Sequence, residues 1–284
     1  MNLSDFPNSQ VMLSGTRQYE IVSHGNRHYR LLVSVPQTEP PPDGYPVIYA
    51  LDGNAVFGTF FEAVTMQSKR EEKTGVSPAV IVGIGYQTDH LFSSERFFDY
   101  TTGSPVMSKP DGGKWPPHGG AEQFLSFIDT ELKPLIEGNY SINKKKQTLF
   151  GHSLGGLFVL YALLSSPYSF HYYVAGSPSI HWHPDKMIRL AHDFPNRLVN
   201  QHISAHVVIG LGEQERYHKS NIGDCAVNMY GILKPYERLG LTSEYVEFAG
   251  EGHGSVMLPL INRTIRYSYD PYKTSMSDAK NLSS

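Results

Sequence analysis

Short apolar and β-branched runs recur along this chain, separated by longer stretches of helical period. Residues 46–51, 79–84, 148–150, 172–175, 205–209 and 244–248 read as buried strands. The gaps between them carry apolar positions three and four apart over residues 56–69, 121–136, 157–164, 184–198, 222–239 and 256–265, which predicts helices. Strands alternating with helices in this way imply an α/β fold: a mostly parallel twisted sheet with helices on both faces, because each parallel strand needs a crossover to return the chain. Ahead of that pattern, residues 19–24 and 28–35 alternate apolar and polar positions around Gly25-Asn26, which predicts an N-terminal antiparallel hairpin at a sheet edge.

The longest stretch without periodicity, residues 86–120, is dense in Gly, Pro and Ser. A structureless segment of that length in a compact domain usually serves a site, so a pocket wall or lid is expected there. The organisation expected is an extension over residues 1–17, a single domain over 18–268 and a polar tail over 269–284.

Composition narrows the function classes. A hydrophobic share of 40% and a charged share of 18% suit an ordinary globule with one large core. The formal charge of -3 argues against nucleic acid as partner. Lys144-Lys145-Lys146, the one basic run, reads as a solvated turn. The opening residues lack a signal-peptide pattern and no stretch reaches membrane-spanning length, so a cytoplasmic address and no membrane partner are expected. Cys225 is the only cysteine, which excludes an intramolecular disulfide and a Cys-based zinc site; its apolar setting suggests a buried structural thiol. The sequons at Asn139 and Asn262 carry no weight without an export signal.

The chemistry centres on Gln147-Thr-Leu-Phe-Gly-His-Ser-Leu-Gly-Gly-Leu-Phe158, an apolar strand running into Gly-x-Ser-x-Gly and then an apolar helix. In that context the motif reads as a nucleophile elbow with Ser153 at its tip, and Gly151 and Gly155 are expected beside it because a β-carbon would clash in so sharp a turn. A serine hydroxyl is a weak nucleophile and needs a base and an orienting acid. His253, in Gly250-Glu-Gly-His-Gly254 after the last strand, stands where the base should follow. The acid should follow the preceding strand, where Glu215 is chosen, Glu213 is the fallback, Asp224 is a weaker third, and a Ser–His dyad stays open. Two backbone N–H groups should form an oxyanion hole: that of Leu154, and that of Asn54 or else Gly53, after the first parallel strand. Each such donor is worth about 3 kcal/mol to the transition state.

Thirteen histidines raise the question of a metal, and His181-x-His183 is the best-spaced pair. Without a carboxylate or Cys partner at ligand spacing, it reads as pocket wall or surface rather than a metal site. No phosphate-cradling Gly motif occurs, so neither a metal nor any other cofactor is expected.

The chain resembles the esterase branch of the α/β-hydrolases, and most closely its siderophore trilactone hydrolases, those acting on ferri-bacillibactin, salmochelin and enterobactin. The resemblance rests on Pro46–Asn54, Lys73–Ala79, Gly83–Tyr86, Arg96 with Asp99-Tyr-Thr101, Trp115-Pro116 with Gly119-Gly-Ala121, Gln147–Leu157, Ser177-Pro-Ser-Ile-His-Trp182 and Gly252-His253. It implies an α/β-hydrolase fold and hydrolysis of the ester bonds of a catecholate siderophore trilactone, a small-molecule substrate in its ferric or iron-free form, to release iron. The family pattern also favours Glu215, the fourth position of a Gly-x-x-Glu turn. It implies that Arg96 meets an anionic catecholate group, an ion pair with Asp99 or Glu95 being the other reading. Trp182 is expected to stack on a substrate ring or to be structural. Two departures, Asp99-Tyr-Thr-Thr-Gly103 without a following proline and His181 in place of an aromatic, bear on the substrate rather than the ester chemistry. The other readings are an esterase or acyltransferase of the same branch acting on feruloyl, acetyl or simple acyl esters, and a non-catalytic siderophore-binding protein.

Overall fold

The computed structural model describes residues 2, 12–103, 108–109, 111–198, 203–217 and 219–267. Along the chain lie β1 (Thr16–Val22), β2 (His28–Ser34), β3 (Tyr45–Leu51), α1 (Gly53–Gln67), α2 (Glu71–Thr74), β4 (Val80–Gly85), α3 (Arg96–Tyr100), α4 (Ala121–Phe127), α5 (Lys133–Asn139), β5 (Ile142–His152), α6 (Leu154–Ser165), β6 (Tyr172–Gly176), α7 (Pro184–Arg197), β7 (Ala205–Gly212), α8 (Ile222–Leu233), β8 (Leu241–Phe248) and α9 (Met257–Tyr267). They build one eight-stranded sheet in the order β1-β2-β4-β3-β5-β6-β7-β8. From β4 to β8 every neighbour is parallel. The hairpin joins antiparallel, β1 to β2 and β2 to β4.

The burial follows the patterning. Every residue of β3, β4 and β6 is buried, as strands covered on both faces must be. One core gathers α4 to α8 on one face, with Tyr29, Tyr49, Phe124, Phe158 and Phe194 among its buried side chains. The other packs α1 and α9 over Ile48, Phe60, Phe150 and Leu260. In α6 all residues but Tyr161 and Ser165 are buried, so its apolar run has no polar face to show. No described helix is long and apolar enough to cross a membrane.

Proline reshapes two of the predicted helices. The run over 121–136 forms α4, a π turn over Ile128–Leu132 and then α5, whose first turn holds Pro134. Without an N–H to donate, Pro134 leaves a gap in the i→i−4 ladder, and the wider turn accommodates it. Pro235 likewise ends α8, and the chain continues to Leu239 as 3₁₀ helix. The lysine run is corrected: Lys144 to Lys146 belong to the exposed start of β5, where Lys144 pairs with Glu137 at 2.8 Å. Cys225 is half-buried against the core rather than fully buried.

The stretch over 86–120 contains α3, a helix too short to show a period, and its residues 104–107 and 110 lie outside the described residues. So do residues 1 and 3–11 of the expected extension and all of the expected tail over 269–284. The first strand begins at Thr16.

Candidate active site

At the end of β5 the backbone turns through Ser153 at φ 60 and ψ -117, and α6 begins at the next residue. That conformation is costly for a residue with a side chain and holds only where the surroundings over-determine it. They do so here. Ser153 N–H donates to the Gly176 carbonyl at 2.9 Å, and the Ser153 carbonyl accepts from the N–H groups of Leu157 and Ser179, both at 3.0 Å. A β-carbon on Gly151 would lie 2.4 Å from the Gly155 carbonyl oxygen, and one on Gly156 would lie 2.5 Å from that of Gly176. The close approaches are thus at Gly151 and Gly156. A β-carbon on Gly155 would meet only ordinary contacts, the nearest at 3.5 Å, which corrects the expectation for that glycine.

Three strand ends converge beside the turn. His253 sits between β8 and α9, and Glu215 ends the 3₁₀ turn that follows β7. His253 Nδ1 lies 2.6 Å from Glu215 Oε1. The other carboxylate oxygen, Oε2, accepts from Ser177 Oγ at 2.6 Å and from Gly212 N–H at 2.9 Å. Burial pushes this carboxyl's pKa up, yet the hydrogen bonds from His253, Ser177 and Gly212 outweigh it and hold the group below its ordinary value. An ionised carboxylate only accepts, so Nδ1 carries a proton, and in the neutral imidazole Nε2 is the nitrogen with the lone pair. The exposures are unequal: the His253 side chain is 48% accessible and that of Glu215 3%.

Ser153, His253 and Glu215 line one pocket of about 270 Å³ with Ser179, His181, Ser220 and Ile222. Within it Ser153 Oγ is 3.2 Å from Ser179 Oγ, and no hydrogen bond among the described residues joins it to His253. Hydrogen bonds between a nucleophile and its base are often long or unmade without substrate and tighten only when it enters. A larger groove of about 920 Å³, lined by residues such as Ser23, His24, Arg27, Phe98 and Glu131, lies at the β1–β2 turn. There Ser23 Oγ accepts from Arg27 N–H at 3.1 Å and the His24 side chain is almost fully exposed, 3.6 Å from Glu131, so no strained turn or buried carboxylate sets up a nucleophile as at Ser153.

Glu213, the fallback acid, accepts from Gly250 N–H at 2.7 Å instead, while the Gln214 side chain holds the Gly250 carbonyl at 2.9 Å. These two residues tie down the loop that carries His253. Asp224 is exposed in the first turn of α8. Leu154 and Asn54 stand in the first turns of α6 and α1, where N–H groups have no intrahelical acceptor, and neither amide is spent on another partner among the described hydrogen bonds. The Asn54 side chain locks against the end of β4: its amide nitrogen donates to the carbonyls of Tyr86 and Thr88, and its oxygen accepts from Tyr86 N–H.

Two residues expected to face substrate are placed otherwise. Arg96 is 9% exposed, and its Nε and Nη2 reach Asp52 Oδ1 and Oδ2, each at 2.8 Å. Its partner is therefore neither Asp99 nor Glu95, both of which pair with Arg27. Trp182 is 3% exposed, donates its indole N–H to the Gly103 carbonyl at 3.0 Å and packs against Trp115 and Phe97, so it has no free face to offer a ring. The geometry adds residues that motif reasoning did not assign. Ser177 and Ser179 come from the Ser-Pro-Ser run after β6. His152 packs its ring 4.7 Å from that of His253. Burial first, and the neighbouring imidazole second, push the His152 pKa down to about 4, so it stays neutral beside His253. His181 lines the pocket, and no group of three or more potential metal ligands occurs among the described residues.

Comparison with known proteins finds the same architecture. A family model described as "Putative esterase" matches residues 23–226. The ferri-bacillibactin esterase BesA of Bacillus subtilis (strain 168) is 46% identical over 273 residues, covering 95% of this chain and 92% of that protein. An apo-salmochelin esterase of Escherichia coli O6:H1 is 32% identical over 247 residues, covering 85% of this chain and 74% of its own length. The crystal structure of BES protein from Bacillus cereus superposes with a TM-score of 0.83 at 40% identity, covering 93% of this chain and 100% of that one.

Proposed function

This chain belongs to the Esterase family and is a carboxylic ester hydrolase of α/β-hydrolase fold, and on that premise we propose that it opens the ester ring of a catecholate siderophore trilactone, releasing its iron in the cytoplasm. The observation that carries the mechanism is the Glu215–His253 pair at 2.6 Å in one pocket with Ser153, whose backbone is held in a strained turn. The substrate class is supported by the relatives named for ferri-bacillibactin and apo-salmochelin. A lone Cys225 suits a reducing compartment.

In this reading Ser153 Oγ leaves Ser179 and turns to His253 when substrate enters. As Oγ attacks the lactone carbonyl, its proton passes to His253 Nε2, and Glu215 steadies the imidazolium through Nδ1–H. The tetrahedral oxyanion takes hydrogen bonds from the amides of Leu154 and Asn54. Collapse breaks the carbon–oxygen bond of the ring ester, and His253 returns the proton to the departing alkoxide. One end of the opened chain is then an alcohol and the other an ester of Ser153. Water, deprotonated by His253, attacks that ester; the tetrahedral intermediate expels Ser153, which takes the proton from His253, and the carboxylic acid formed loses its own proton to solvent.

The test compares turnover of a ferric catecholate trilactone with that of a small aryl acetate, following linear product by chromatography. Efficient ring opening that disappears in Ser153→Ala is expected. Fast aryl-ester cleavage beside negligible trilactone cleavage would transfer the protein to simple acyl esters.

A further inference from the structure

Asp52 holds the position before α1 from which an acidic side chain ordinarily caps its own helix. From there the carboxylate would accept the N–H of the residue two or three places on, Asn54 or Ala55. It makes no such bond. Asp52 lies at φ 54 and ψ 44, in the left-handed region, with its own N–H donated to Tyr100 Oη at 3.1 Å. Both carboxylate oxygens instead turn to the guanidinium of Arg96, which also reaches the His152 carbonyl at 3.4 Å. The ion pair is buried, Asp52 being 3% exposed. Its partners flank the two backbone segments that carry the oxyanion donors: Asp52 is two residues before Asn54, and His152 two before Leu154.

We propose that Arg96 is a positioning residue: by drawing the Asp52 carboxylate away from the start of α1 it keeps the Asn54 amide free for the oxyanion, and by reaching the elbow it sets the spacing of the two donors. The inference rests on the oxyanion hole of the preceding section. It has an electrostatic side as well. A carboxylate loose at the start of α1 would stand beside the negative charge that develops on the carbonyl oxygen, and the guanidinium neutralises it.

The prediction separates this role from direct contact with an anionic substrate. Arg96→Met leaves Asp52 free to cap α1, so kcat should fall about 10²- to 10³-fold with KM within a few-fold, on a neutral aryl acetate as much as on a siderophore trilactone. Arg96→Met combined with Asp52→Gly removes the competing carboxylate and suits the left-handed backbone, so it should recover at least tenfold of the lost kcat. Melting curves accompany each variant, and Arg96→Lys, which cannot hold both oxygens, takes the place of Arg96→Met if that chain does not fold. A loss confined to the trilactone and expressed in KM would overturn the proposal, as would a double variant no faster than the single. Labelling of Ser153 by a fluorophosphonate distinguishes this failure from that of the whole reading, since an unlabelled serine in the active wild-type protein would remove the oxyanion hole together with the nucleophile.

Discussion

The two sides of the pocket are built on opposite plans. On the side of β5 to β8, Ser153 and His253 are joined by few bonds: among the described residues the imidazole has one hydrogen-bond partner, the buried Glu215, and is about half exposed, and the serine hydroxyl rests on another hydroxyl. On the side of α3 the charged groups are sunk and tied several times over. Arg96 grips both oxygens of Asp52, while Asp99, wholly buried, takes Tyr86 Oη at 2.9 Å and lies 2.9 Å from Arg27 Nε. Burial raises the Asp99 pKa to about 6, outweighing the lowering influence of the Arg27 cation and the Tyr86 hydroxyl. In the proposed mechanism the two groups that exchange protons, Ser153 and His253, are the lightly bonded ones. Groups that must hold a backbone still are desolvated and doubly held, so loss of one member leaves a stranded charge.

That contrast predicts activity losses without unfolding at Ser153 and Glu215, and a stability loss at Arg27, whose partner Asp99 lies wholly buried. The largest effect should come from Ser153→Ala, which is expected to lower kcat roughly 10⁵- to 10⁶-fold with an unchanged melting temperature; residual turnover near the wild-type rate would remove Ser153 from the mechanism. Glu215→Gln should cost about 10³- to 10⁴-fold in kcat, because an amide can present its NH₂ to Nδ1 and hold the wrong tautomer; pre-steady-state acylation kinetics would measure it. On the scaffold side, Arg27→Met strands Asp99 in the core and should reduce unfolding free energy by about 3 kcal/mol in urea titration, a penalty that Asp99→Asn in the same chain should relieve.

His152 joins the two plans, since it is buried like the scaffold and lies against the His253 ring. The folded imidazole resists protonation down to about 4, against 6.5 for the unfolded chain. Its contribution to stability is therefore complete above the unfolded value and is lost as the pH falls through that window. Acidification from about pH 7.5 to 5 should cost the wild type about 2 kcal/mol more than it costs His152→Gln. Glu215, whose carboxyl is held low, loses stability on acidification in both proteins, so the difference isolates His152. The smallest effect expected is that of Ser177→Ala, which leaves Glu215 Oε2 with Gly212 N–H alone and should slow kcat about tenfold with KM little changed.

Legibility differed between the same two sides. Strand, elbow and helix around Ser153 could be read because every signal lies within a dozen consecutive residues. The loop of His253 and the turn of Glu215 could be found from chain order, and their 2.6 Å contact follows from parallel strands that deliver their C-terminal ends to one edge. Nothing local marks Arg96 as the partner of Asp52, 44 positions earlier, and a five-residue helix shows no period. Trp182 invited a stacking role because an indole is a good platform, yet Gly103, Phe97 and Trp115 occupy it in the fold. Ser177 and Ser179 gave no sign in the sequence of which side chain each hydroxyl would meet. The lysines of β5 looked like a turn because exposed strand residues lack the apolar alternation by which a strand is recognised.

The order of elements, the strained serine turn and the types of group able to do ester chemistry were determined by the amino-acid sequence alone, since propensity, period and glycine placement act over a few neighbouring residues. Which buried charge meets which, and which amides are left unspent, was decided only by the tertiary structure. Desolvation makes an ion pair depend on what encloses it, and α3, the β3–α1 turn and the elbow enclose one another only after the sheet has brought them together.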